Sequence, residues 1–275
     1  MIFSPFVKYY IPLFAGRILR IFSCAINGTN GWFILMLTIL CLGVAVYLLT
    51  TRKPLLKRRG YRLDELDTWV PGASGRMRQV IMEVSMIYTD TIGGLAIKDP
   101  EDLQKNMVKL SALEAEIGQI SEEIRAVLCS SEKTSVKIGK PYISILDHLQ
   151  GMIRSVGNIT ADSYDHLLNH HRNLSFNQIR ELRRIYERSE CVFELLNAYF
   201  ENRRPKNIQR DLEESFSLFK YVSGLTKTQK VRLKDDRIVA SNIKLYVNLL
   251  KDTRDLIGNT VNLICLLYGL PPTKP

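Results

Sequence analysis

Three groups of residues in this chain have types and spacings that could support chemistry. Asp162, His166 and His170 recur every four residues, with His171 beside them. On a helix that spacing lines one face, and two imidazoles four apart can share a metal ion. No further ligand is identifiable, and a polar face near a helix end, with His170 and His171 set against the terminal carbonyls, accounts for them more simply. Asp252 and Asp255 would offer carboxylate oxygens to a hard cation if another helix supplied the rest. Lys251 and Arg254 lie alongside, however, and surface ion pairs explain all four. Glu181, Glu187 and Glu190 stand among Arg180, Arg183, Arg184 and Arg188, and mixed signs at helical spacing mark a solvated face. No residue is therefore assigned a catalytic, cofactor-binding or metal-ligating role.

The wider motif search points the same way. There is no Walker loop, GxGxxG, HExxH or GxSxG, so the common motif-bearing enzyme classes have no foothold and no enzymatic activity is expected. Cys24, Cys41, Cys129, Cys191 and Cys265 are odd in number and widely spaced, which fits reduced thiols better than a disulfide framework or a zinc site.

The elements that would position these residues are helical. From Arg76 the apolar set Met77, Val80, Ile81, Val84, Ile87, Tyr88 and Ile92 forms an amphipathic stripe. A second helix opens with Asp99 as N-cap, Pro100 in the first turn and Glu101 and Asp102 at the positive helix end. Its Leu103, Leu110, Ile117 and Ile124 repeat at sevens, as in bundle or coiled-coil packing. Ser130 to Lys140 reads as a loop ended by Pro141, and a third helix spans about Tyr142 to Arg172. A fourth starts at Ser175, where Ser175 and Gln178 have capping-box spacing. Pro205 precedes a fifth helix, Ile208 to Leu225. A sixth runs from about Asp236 to Tyr268 and stops at Gly269. The expected fold is all-α, as two three-helix layers or one long antiparallel bundle.

Charge and hydropathy place this bundle next to a membrane. The chain has 275 residues with 38 Lys+Arg against 28 Asp+Glu, a net +10. Nine of the basic residues precede the first acid, Asp64, so the rest of the chain is nearly neutral. Trp32 to Thr50 is mostly apolar and free of charge, and would make about 28 Å of helix at roughly 1.5 Å per residue, enough to cross a bilayer core. Arg52, Lys53, Lys57, Arg58, Arg59 and Arg62 follow it, which by the positive-inside rule puts the C-terminal region in the cytoplasm. The basic run can also meet anionic lipid, whereas a nucleic-acid partner has little support. Before the span, Arg17, Arg20 and Cys24 fall on one helical face and Phe14, Ile18, Phe22 and Ile26 near the other. This is either an interfacial helix or the tail of another membrane helix. The expected organisation is an N-terminal interfacial segment at 1–30, one transmembrane helix at 31–51 and a basic juxtamembrane linker at 52–75. A cytoplasmic helical bundle at 76–269 and a tail at 270–275 complete it.

Laid out in this way, the chain resembles the C-terminal portion of bacterial inorganic phosphate transporters of the PiT class that carry a PhoU-like cytoplasmic extension. The resemblance rests on GWFILMLTILCLGVAVYLL (Gly31 to Leu49), GRMRQVIMEVSMIYTDTIGGL (Gly75 to Leu95), the stretch from Tyr142 to Leu182 with its DH…NxH…L corner, and Ser241 to Leu267. It implies a single-pass protein of the bacterial inner membrane, an accessory or regulatory role in phosphate transport, and a transporter core or other membrane protein as partner. The paired Gly/Asn/Asp signatures of the transport core are absent, and one span cannot form an alternating-access pathway. The acidic E/D-x-x-x-D metal motif of PhoU proteins has its best match in Asp255-Leu-Ile-Gly-Asn259, where Asn259 stands in place of the second carboxylate. The alternative from another class is a membrane-tethered scaffold or signalling bundle, unrelated to phosphate, that binds a partner helix, with Leu103, Leu110, Ile117 and Ile124 serving an interface as well as a core.

Overall fold

The computed structural model describes residues 63–130, 134–171, 173–201, 203, 207–235 and 241–270. The expected interfacial segment, membrane span and basic run, and the tail from 271, lie outside these residues. Among the described residues there are seven helices and no strands: α1 (Leu63–Trp69), α2 (Ala73–Ile97), α3 (Pro100–Ser130), α4 (Thr134–Leu168), α5 (Phe176–Phe200), α6 (Ile208–Asp235) and α7 (Ser241–Leu267).

The helix ends follow local chemistry. Gly72, at φ 75°, turns the chain from α1 into α2, and Asp67 accepts the Ser74 backbone N–H at 2.9 Å across that turn. The stretch 52–75, expected to be a linker, thus contains α1 and the start of α2; Leu66 and Ala73 are fully buried there, because the apolar stripe of the bundle begins one helix earlier. Lys98 adopts a left-handed conformation, and its N–H and that of Asp99 both return to the Gly94 carbonyl. Asp99 then caps α3 by accepting from the N–H groups of Glu101 and Asp102 at 3.0 and 3.2 Å. Ser175 and Gln178 form the reciprocal capping box, with Gln178 N–H to Ser175 Oγ at 3.3 Å and Ser175 N–H to Gln178 Oε1 at 2.8 Å. Gly269, at φ 67°, ends α7 while Leu270 N–H donates to the Cys265 carbonyl at 2.7 Å.

Three boundaries differ from expectation. Pro141 does not end a loop but lies inside α4, which already runs from Thr134. A proline near a helix start forfeits one backbone hydrogen bond, and the buried run Tyr142, Ile145, Leu146 and Leu149 just after it anchors the helix. At its other end α4 stops at Leu168 rather than near Arg172. Finally, α6 continues past Leu225 to Asp235, with Thr226 buried and its hydroxyl bonded back to the Val222 carbonyl at 2.9 Å.

Helices α2, α3 and α4 pack mutually, as do α5, α6 and α7, so the described bundle consists of two three-helix groups. They meet chiefly through α4 against α7, the most extensive helix pair, and through α2 against α5. Exchanging α2 with α5, α3 with α6 and α4 with α7 carries each of these two junctions onto itself, a topological two-fold. One hydrophobic core runs through both groups. Buried hydroxyl pairs cross it, Tyr88 with Thr253 at 3.3 Å and Thr91 with Thr160 at 2.9 Å. Arg76 reaches Glu116 and Glu123 of α3, and Arg78 reaches Asn197 of α5 and Glu201 at its C-terminal cap. Leu103, Leu110, Ile117 and Ile124 are all at most 5% exposed, so the heptad positions are core and not a free interface.

One described helix, α2, is long and apolar enough by length and composition to cross a membrane, and half of its most apolar window is buried inside the bundle.

Candidate functional site

The sequence candidates from the third and sixth expected helices come together along α4 and α7. On α4, His148, Gly151, Ser155, Asn158, Asp162 and His166 recur every three or four residues. On α7, Asn259, Asp255, Asp252 and Asn248 recur the same way in descending order. Contacts fix an antiparallel register: His148 Nδ1 lies 3.3 Å from Asn259 Oδ1, Asn158 Nδ2 donates to Asp252 Oδ1 at 3.4 Å, and Asn248 Nδ2 donates to Asp162 Oδ2 at 2.8 Å.

Gly151 packs tightly against Asn259. A Cβ on it would stand 2.7 Å from Asn259 Nδ2, well inside van der Waals contact. Asn259 is held there by donating to the Asp255 carbonyl at 2.9 Å. Its amide therefore serves its own helix and the α4 face, and the Asp255-x-x-x-Asn259 element does not present a paired set of ligands.

Asp252 is the most perturbed group in this seam. It is 7% exposed, not the surface residue expected. Burial pushes its carboxyl above the ordinary aspartate range; Lys251, at 3.7 Å, and the Asn158 amide pull it down, and Asp162 and Asp255 add to the rise. Asp255 behaves as expected of a surface pair, accepting from Arg254 Nε and Nη2 at 2.9 and 2.6 Å.

The histidine face breaks up at the helix end. His166 is buried on α4, with its ring centroid 5.4 Å from that of His171. His170 lies beyond the helix in a left-handed conformation at φ 52° and is exposed. The helix terminus explains the difference: the His170 and His171 N–H groups donate to the Leu167 and His166 carbonyls at 3.1 and 3.2 Å, closing the last turn. Backbone, not imidazole, satisfies those carbonyls. A shallow depression of about 230 Å³ is lined by Asp162, Asp165, His166, His171, Lys244 and Asn248. Among the described residues no group of three His, Cys, Asp or Glu is placed to hold a metal ion.

Glu181 also departs from the solvated face expected of it. It accepts hydrogen bonds from Tyr246 of α7 and, at 3.4 Å, from Tyr221 of α6, tying three helices together. Glu187 does pair with Arg183 at 3.0 Å on the surface. The seam residues that sequence reasoning overlooked are His148, Gly151, Asn158 and Asn248. Their three- and four-residue spacing was visible, but uncharged amides and a glycine carry no chemical signature until a facing helix supplies their partners.

Comparison with protein-family models, with curated proteins and with solved structures finds no match to this chain.

Proposed function

We propose that this protein is a membrane-anchored accessory or regulatory bundle associated with inorganic phosphate transport, without catalysis of its own. The tether is supported by the apolar stretch Trp32 to Thr50 and the six basic residues after it, which orient the bundle to the cytoplasm of a bacterial inner membrane. The phosphate link is supported by the PiT and PhoU-like resemblance, and six long helices in two groups of three fit the six-helix bundle that it implies.

The observation that carries a regulatory reading is the α4/α7 seam. The largest junction between the two groups is lined by amides and a buried acid at contacts of 3.3 and 3.4 Å. With the shorter Asn248–Asp162 bond at 2.8 Å, these amides and carboxylates can each take a new polar partner, so a second protein can re-pair this junction in a way an apolar one does not allow. The test is an uptake and crosslinking pair. Deletion should alter phosphate uptake or the phosphate-starvation response, and crosslinking in native membranes should recover a phosphate transporter. Unchanged uptake and signalling, with no transporter recovered, would refute the reading.

A second reading, a scaffold that binds another protein, is favoured by one specific feature. Met82, Met86 and Ile97 on α2 and Val108 on α3 are exposed apolar residues, Ile97 at 73% and Val108 at 70%. Recovery of a non-transporter partner by the same crosslinking would select it.

A further inference from the structure

Between α6 and α7, reaching Asp255 and Asn259 of the seam, lies an open cleft of about 650 Å³. Its cations are Lys220 and Lys227 from α6 and Arg254 from α7; its one acid is Asp255. Asp255 is already engaged by Arg254 through Nε and Nη2. Neither lysine has an ion-pair partner among the described residues. The cleft therefore carries two uncompensated positive charges.

The Ser223 hydroxyl gives its single proton to the Phe219 carbonyl at 2.8 Å, so an anion would be held by the lysines and not by this hydroxyl. Two glycines shape the cleft. A Cβ on Gly224 would meet nothing within 4 Å, so the space above it is free, and Gly258 lets the Phe219 ring lie against α7, where a Cβ would be 3.1 Å from the ring. Lys220 and Lys227 are two turns apart on α6, roughly 10 Å along the helix, and both line the cleft.

We propose that this cleft binds a phosphate monoester. The charge matches, since such a group carries about −1.5 to −2 at neutral pH. A cleft of about 650 Å³ also leaves room for an organic body beyond the phosphate. Two sources supply that chemistry, a soluble organic phosphate and the headgroup of phosphatidic acid. The inference stands on the cleft alone and does not depend on the transport reading.

The test uses the full chain in zwitterionic nanodiscs. Binding of AMP, glucose 6-phosphate and inorganic phosphate is measured by calorimetry, and binding to phosphatidic acid is measured by adding that lipid to the discs. Saturable binding of either source is expected, weakened about tenfold by Lys220→Ala and further by Lys220→Ala/Lys227→Ala. Lys109→Ala, on exposed α3 surface, should leave it unchanged. Gly224→Leu fills the cleft without altering charge and should also weaken binding, which keeps the proposal open to refutation if the lysine variants fold poorly. Preference for AMP or glucose 6-phosphate identifies a soluble ligand, and preference for phosphatidic acid identifies a lipid. Absence of saturable binding to every probe, or binding that Gly224→Leu and the lysine variants leave intact, overturns the proposal.

Discussion

Asp252 shows how far burial can move a residue from its expected role. In sequence it stands beside Lys251 and two residues from Arg254, the composition of an exposed ion-pair strip. In the fold it is 7% exposed and its carboxyl is raised chiefly by burial. The folded chain then holds the Asp252 proton more tightly than the unfolded chain does. Stability must fall as pH rises through the interval between the ordinary aspartate value and the raised one, and the ionised group costs stability at neutral pH. Asp252→Asn should therefore raise the melting temperature at pH 7, and the gain should shrink as the pH is lowered into the range where the wild-type carboxyl is protonated. Thermal melts of both proteins from pH 4 to pH 7 check this; a variant no more stable than wild type at pH 7 contradicts it. The charge run containing Asp252 was legible, but the side of the helix facing α4 was not. Asp252 and Asp255 are three apart and either could have faced the core.

At the scale of helices, ends were more legible than contacts. Asp99 before Pro100 and Ser175 three before Gln178 mark helix starts through bonds made within four residues, so no tertiary information is needed. Pro141 and the stretch Leu63–Trp69, read as part of a linker, were misjudged for the opposite reason: whether a proline or a short apolar stretch is helical depends on what packs nearby. The Gly151 contact is the clearest such dependence. Gly151→Ala places a methyl group against Asn259, whose amide is fixed by the Asp255 carbonyl. It should destabilise by about 1–3 kcal/mol in denaturant or thermal unfolding. Asn259→Ala should relieve much of that cost, so that the double variant is more stable than the sum of the singles predicts. Strict additivity would show that the α4/α7 register is not the one described.

For the whole molecule, the predicted orientation makes the exposed cysteines useful reporters. Cys129 and Cys191 are exposed, while Cys265 is buried and its thiol is pushed up to about 11 by that burial. With Cys24 and Cys41 replaced by serine, a membrane-impermeant maleimide should label Cys129 and Cys191 in inside-out membrane vesicles and leave them unlabelled in intact spheroplasts. Labelling in intact spheroplasts would reverse the assigned topology. Replacing Lys57, Arg58 and Arg59 with glutamine should weaken the orientation and produce a mixed labelling pattern.

What the sequence by itself determined was the all-helical class, most helix starts, the core stripes of the bundle and the concentration of positive charge before Asp64. Each of these depends on periodicity, capping or counting, which act over a few neighbouring residues or none at all. The tertiary structure alone decided the grouping of six helices into two sets of three and the pairing of α4 with α7. That pairing buried Asp252, and the packing of α6 on α7 set Lys220 and Lys227 opposite Arg254. Those relations join residues tens of positions apart in the chain, and each depends on which face of one helix meets which face of another. Local periodicity limits that choice but does not make it, because a helix offers its partners the same spacing on every side.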